Sequence, residues 1–218
     1  MDEKELFISI DIETDGPSPG LNSMLSLGAV AFTMDTIVVD RLYSFSRNIL
    51  PIDGAFEDAD TMDWWDTQGD AWEMCHKDQV DAVDAIGEFA GWLEDLSAYG
   101  KLVAVAWPAG FDFTFVNWYM HQFYGKNPLG FACMDIRSYA NGLFAVSGYY
   151  EKIPEGDLYK IFSVKLDDIK PHVAVDDALR QGRLLHSLLQ YAEDLRRNPT
   201  EARAWLNTMA RANGTGLE

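Results

Sequence analysis

The run LFISIDIE at residues 6–13 is apolar enough to be a buried strand, yet it closes on two carboxylates, Asp11 and Glu13, two positions apart. Side chains alternate across a sheet, so both acids point to one face with α-carbons roughly 7 Å apart. Two negative charges on one face of a buried strand repel unless a cation or a basic partner lies between them. Any fold for this chain must therefore bring a compensating charge to the end of its first strand.

The surrounding pattern supplies the frame. MLSLGAVAF at residues 24–32 predicts a second strand, and residues 36–49 a third, joined to the first two as a meander of hairpins. Residues 51–78 hold a Trp64–Trp65 pair and scattered acids without a clear period. Residues 79–96 place Val83, Ile86, Phe89, Ala90 and Leu93 at helical spacing, and LVAVAW at 102–107 reads as a short strand. Residues 111–123 read as an aromatic-rich helix, 131–136 as another strand, 174–197 as a long amphipathic helix, and 200–211 as a last helix behind Pro199. The closing NGTGLE at 213–218 reads as a disordered tail. Three strands followed by helices alternating with strands imply an α/β fold with a mixed sheet.

Bulk properties narrow the function. A net charge of −18 over 218 residues argues against a protein that coats long nucleic acid, because such binding relies on basic residues displacing counterions. Carboxylates that first collect divalent cations reverse the local sign, which confines phosphate affinity to one short cleft. Cys75 and Cys133 lack disulfide or metal-ligand spacing and read as reduced core residues. The chain opens on charges and has no apolar stretch of bilayer length, so a cytoplasmic protein with no membrane partner is expected.

Two further acids stand at places where ligands gather in open α/β sheets. Asp112 follows the 102–107 strand, and Asp177 lies near the start of the long helix. Alone, each is more simply a helix cap. His172 lies five residues before Asp177 and cannot share a helix face with it, so it must sit in the loop after Pro171 for both to reach one centre.

DIET at residues 11–14 with the following LSLGAV, GFDFTFV at 110–116 and HVAVDDA at 172–178 resemble, in order and spacing, the three motifs of the DEDDh, or DnaQ-like, 3′–5′ exonucleases, a family that includes oligoribonuclease and ribonuclease T. The resemblance implies a ribonuclease H-like fold: a mixed five-stranded sheet flanked by helices. It implies an exonuclease domain over residues 1–197, with 198–218 as a C-terminal helix and tail. Carried over by motif, Asp11, Glu13, Asp112 and Asp177 hold two divalent cations, Mg²⁺ or Mn²⁺, and His172 is the general base. The H-x-x-x-x-D-A pattern selects Asp177 over its neighbour Asp176. Thr14 and Asp15 line the terminal nucleotide, while Trp107, Phe111 and the Trp64–Trp65 pair are stacking candidates. The turn before the second motif departs from the family pattern, with Pro108 and Ala109 ahead of Phe111.

Such a site would hydrolyse single-stranded RNA or DNA, or short 3′ overhangs, from the 3′ end to nucleoside 5′-monophosphates, with hard oxygen ligands suiting Mg²⁺ or Mn²⁺. Homodimers among the relatives imply one here. Two other readings compete. A phosphoacceptor receiver domain needs a lysine after a late strand, which this chain lacks, and leaves His172 without a role. A nucleic-acid-binding module without catalysis would not need every expected catalytic position filled.

Overall fold

The computed structural model describes residues 4–37, 39–148 and 153–214. Its centre is a mixed five-stranded sheet in the order β3-β2-β1-β4-β5. The middle strand β1 (Glu5–Thr14) pairs antiparallel with β2 (Met24–Phe32), which pairs antiparallel with β3 (Ser44–Asn48). On its other side β1 pairs parallel with β4 (Lys101–Ala106), and β4 with β5 (Cys133–Asp135). The parallel half needs crossover helices, the antiparallel half only hairpins, which is why the chain runs through its strands first.

The alternation along β1 separates two cores. Leu6, Ile8, Ile10 and Ile12 face a layer built on α3 (Ala82–Ser97) and α4 (Ala109–Tyr119). Phe7 faces the opposite layer, built on α5 (Ile136–Val146), α7 (Ala174–Arg197) and α8 (Pro199–Ala212). Asp11 and Glu13 have the parity of Phe7 and so point toward α7. The face of α3 that packs comprises Ala82, Ala85, Ile86, Phe89, Ala90 and Leu93, whereas Val83, expected in that stripe, is exposed.

Three further expectations change. The third strand is only Ser44–Asn48, because Asp40 caps a 3-10 turn at Arg41–Tyr43 through the Leu42 amide (2.8 Å) and interrupts the extended run. The aromatic helix ends at Tyr119 and closes in a π-turn, Met120–Tyr124, at left-handed Gly125. The strand expected at 131–136 shortens to Cys133–Asp135, since Asp135 accepts from the Ser138 amide (2.7 Å) and starts α5. Short helices α1 (Ala59–Trp65), α2 (Ala71–Cys75) and α6 (Glu155–Ile161) had no clear signal in the sequence. Cys75 is buried and Cys133 half-buried, both as free thiols. The tail expected at 213–218 lies outside the described residues from 215 onward, while Asn213 and Gly214 form a turn after α8. Among the described residues no helix is long and apolar enough to cross a membrane.

Candidate active site

Each acid is placed by the local structure of its own segment. Asp11 and Glu13 come from the last turns of the β1 pleat, opposite Gly28 and Ser26 of β2. Asp112 sits in the first turn of α4, whose start is anchored by Asp135 accepting the Ala109 amide (3.0 Å). Asp177 sits in the first turn of α7, where the helix dipole favours a carboxylate. Gly28 makes that last placement possible: a β-carbon there would stand 2.1 Å from the Val175 nitrogen, so the start of α7 lies directly on β2 because position 28 has no side chain.

The result is a concentration of negative charge with little to balance it. Glu13, Asp112 and Asp177 are buried and Asp11 is half-buried. Burial raises the Asp11 and Glu13 carboxyls well above their ordinary range, and the neighbouring acids push in the same direction. Burial likewise lifts Asp112 to about 7 against the opposing hydrogen bond of the Ile12 amide. Asp177 is also raised by burial, with the Arg180 guanidinium and the His172 amide pulling the other way. Asp112 Oδ2 and Asp177 Oδ1 are buried and accept no hydrogen bond from the described residues, although Arg180 Nη2 approaches the latter to 3.3 Å. Gln181 donates to Asp11 Oδ1 (2.7 Å).

His172 enters from the loop before α7, as its separation from Asp177 required. Its backbone is left-handed (φ 59°), and its amide donates to Asp177 Oδ2 (2.8 Å). Ligand-capable atoms of Glu13, His172 and Asp177 all lie within 4.8 Å of one another. The imidazole packs against the tryptophan pair: its ring stands nearly perpendicular to Trp64 at 4.9 Å between centres and to Trp65 at 6.5 Å. That pair is docked on the end of β1 through Trp65 Nε1, which donates to the Thr14 carbonyl (2.9 Å), and through the Asp58 amide, which donates to the Asp15 carbonyl (2.8 Å).

The other expected contact residues are placed less favourably. Asp15 is buried with its side-chain Oδ1 accepting the Ser23 amide, and Thr14, also buried, offers its backbone carbonyl to Trp65, so both residues brace the strand end. Trp107 packs against the α5–α7 core and Phe111 against the α3–α4 core and Phe115. Trp64, in contrast, keeps 41% of its surface exposed beside His172. Sequence reading passed over Arg180 and Gln181, although their positions one turn beyond Asp177 mark them as residues of the same helix face.

Comparison with known proteins gives the family and the fold. The model of the 3′-5′ exoribonuclease Rv2179c-like domain matches residues 6–189. The chain belongs to the Rv2179c-like 3′–5′ exoribonuclease family. It is 34% identical over 193 residues to the 3′-5′ DNA exonuclease Cap18 of Escherichia coli, covering 88% of this chain and 95% of that one. In fold it resembles the nuclease domain of 3′hExo, a DEDDh family member bound to rAMP (TM-score 0.60, 15% identity, 86% of this chain and 92% of that one). It resembles equally the Mg²⁺- and Mn²⁺-bound form of S. pombe Pop2p (TM-score 0.60, 12% identity, 90% and 84%). The molecule is thus a 3′–5′ exonuclease on a ribonuclease H-like fold, as the three motifs implied.

Proposed function

We propose that the chain removes single nucleotides from the 3′ ends of single-stranded RNA or DNA, or of short 3′ overhangs, with His172 as general base and two divalent cations held by Asp11, Glu13, Asp112 and Asp177. The observation that carries this reading is a set of largely buried carboxylates that Arg180 balances only in part, two of their oxygens taking no hydrogen bond from the described residues, gathered beside an imidazole. An all-carboxylate donor set fits Mg²⁺ or Mn²⁺, which prefer hard oxygen ligands. Such cations, when bound, stabilise charge on the attacking and leaving oxygens of an in-line phosphodiester displacement.

The chain's own residues do the rest. His172 accepts a proton from the attacking water, whose oxygen forms a bond to phosphorus as the bond to the 3′ oxygen of the penultimate nucleotide breaks. The leaving 3′ oxygen takes a proton from solvent and stays on the shortened strand as a hydroxyl, and a nucleoside 5′-monophosphate is released. Hydrogen bonding of the His172 amide to Asp177 and the edge contact with Trp64 fix where the ring stands. The exposed part of Trp64 offers the terminal base a stacking face next to the proton acceptor, a role better matched to its position than to those of Trp107 and Phe111. With a net charge of −18, affinity for nucleic acid is concentrated at this cleft, which favours short single strands.

The test is incubation of 5′-end-labelled single-stranded RNA and DNA of one sequence with Mg²⁺ or Mn²⁺, with products resolved by length and released nucleotides identified. Expected is a ladder shortening stepwise from the 3′ end, release of 5′-monophosphates, and silence in excess chelator. The faster of the two strands assigns the sugar, on which the names of the family and of its E. coli relative differ. Shortening from the 5′ end, or release of 3′-monophosphates, would overturn the reading.

A further inference from the structure

Residues 162–173, which carry His172, contain neither helix nor strand and turn through two left-handed residues, Ser163 (φ 49°) and His172 (φ 59°). A non-glycine residue in that region stays there only when its surroundings over-determine it. The surroundings here are a chain of charges on the side of α7 away from the acid cluster. Asp176, buried to 6% exposure, accepts the Lys170 amide on Oδ2 (2.8 Å) and Arg41 on Oδ1. Arg41 also donates to the Asp168 carbonyl (2.9 Å) and pairs with the Asp168 carboxylate (3.4 Å). Arg183 grips both oxygens of Asp168 (2.6 and 2.9 Å), the Lys165 carbonyl (2.8 Å) and the Val39 carbonyl (3.0 Å).

We infer that Arg41 and Asp176 are positioning residues for His172: together they hold the loop at Asp168 and Lys170 while Asp177 holds it at residue 172, so that the imidazole is presented to the cluster in one orientation. Adjacent aspartates thus divide the work, Asp177 facing inward to the acids and Asp176 clamping the loop from outside. Arg41 suits the second task because its planar fork reaches a carboxylate and a backbone carbonyl of two different residues at once. Among the described residues the side-chain bonds of Arg41 and Asp176 run to each other and to the loop at Asp168 and Lys170, not to the acids, so the path they act on leads to the histidine.

This inference rests on the general-base reading of His172, and a double-mutant cycle separates the two. In the purified full chain, His172→Ala alone should lower kcat about 10²–10⁴-fold. Arg41→Met should lower kcat about 10–100-fold with KM and the Mn²⁺ binding isotherm unchanged, and Arg41→Lys should recover part of the loss. In the His172→Ala background, Arg41→Met should cost no further activity, because the group it positions is gone. Asp176→Asn gives the same readings from the other side of the pair, should Arg41→Met fail to fold. A loss of equal size in both backgrounds, or an unchanged kcat in Arg41→Met or Arg41→Lys alike, would overturn the positioning role while leaving the nuclease reading intact. An unchanged kcat in His172→Ala would overturn both.

Discussion

Asp176 and Asp177 are neighbours in sequence, share one helical turn and are buried alike (6% and 4% exposed), yet they occupy opposite electrostatic surroundings. Asp176 has both oxygens satisfied, one by a guanidinium and one by a backbone amide. Asp177 has one oxygen on the His172 amide, the other without a hydrogen bond among the described residues, and three more acids behind it. The half-exposed Arg180 is the cation that reaches it, and Arg180 also leans toward Glu155 (3.5 Å) and over the Tyr159 ring (5.4 Å), so it balances one charge at most. The contrast shows what separates a structural acid from a reactive one. Burial is common to both, and compensation is not: the region around Asp176 is complete as it stands, whereas the region around Asp177 reaches charge balance only with added cations or protons.

Asp11→Asn should give the largest effect, because it removes one unit of the excess without altering shape. Activity with Mg²⁺ or Mn²⁺ should fall about 10³-fold, the several kcal/mol that charge stabilisation by a held cation supplies. The chelated variant should melt above the chelated wild-type chain, since fewer like charges then face one another. Activity within a few-fold of wild type would erase the distinction between the two regions.

Gly28→Ala tests the contact both regions depend on. The new methyl meets the backbone of Ala174 and Val175 at 2.1–2.4 Å, so the start of α7 must move off the sheet. The expected cost is about 1–3 kcal/mol in denaturant unfolding, together with a lower kcat, as Asp176 and Asp177 shift together. A variant as stable and as active as wild type would show that α7 is free to slide and that its two acids are not held by this contact.

How much of this was legible before the fold was seen depends on the range of the interactions involved. The boundaries of β2 and α7 match the sequence reading to the residue, because a nine-residue apolar run and a sustained helical stripe are local patterns. The 36–49 strand was overextended because Asp40 acts as a cap only in three dimensions, and α1, α2 and α6 were lost among aromatic and acidic residues whose partners lie elsewhere in the chain. At the site, the motifs marked the acids and His172, and alternation put Asp11 and Glu13 on one face. The contact of Trp64 with His172, 108 positions further on, had no sequence period to reveal it. Nor did the pairing of Arg41 with Asp176, although a glycine in the middle of β2 was a readable sign that another backbone comes close.

The smallest effect, and the one that separates the two regions by sign, is the pH dependence of stability without metal. Burial holds the carboxyls of Asp11, Glu13, Asp112 and Asp177 above the ordinary range, Asp112 at about 7. The folded chain therefore keeps protons that the unfolded chain releases near pH 4, and the stability present at that pH is lost as pH rises through the raised folded values, for Asp112 through about 7. Asp168 behaves oppositely. Its hydrogen bonds from Arg183 keep its carboxyl well below the usual range, so its contribution is present above about pH 4 and is lost only as the solution becomes strongly acid. In chelator, the melting temperature should fall by about 2–6 °C between pH 5 and pH 8, on the order of 1–2 kcal/mol for a chain of this size. Saturating Mn²⁺ should abolish that fall, since the cations then take the place of the protons. Asp168→Asn should lower the melting temperature by a similar amount at pH 5 and at pH 8, leaving the slope unchanged. A melting temperature in chelator that stays flat from pH 5 to pH 8 would mean that the acid cluster is balanced as it stands, like the region around Asp176, and the contrast between the neighbouring aspartates would be lost.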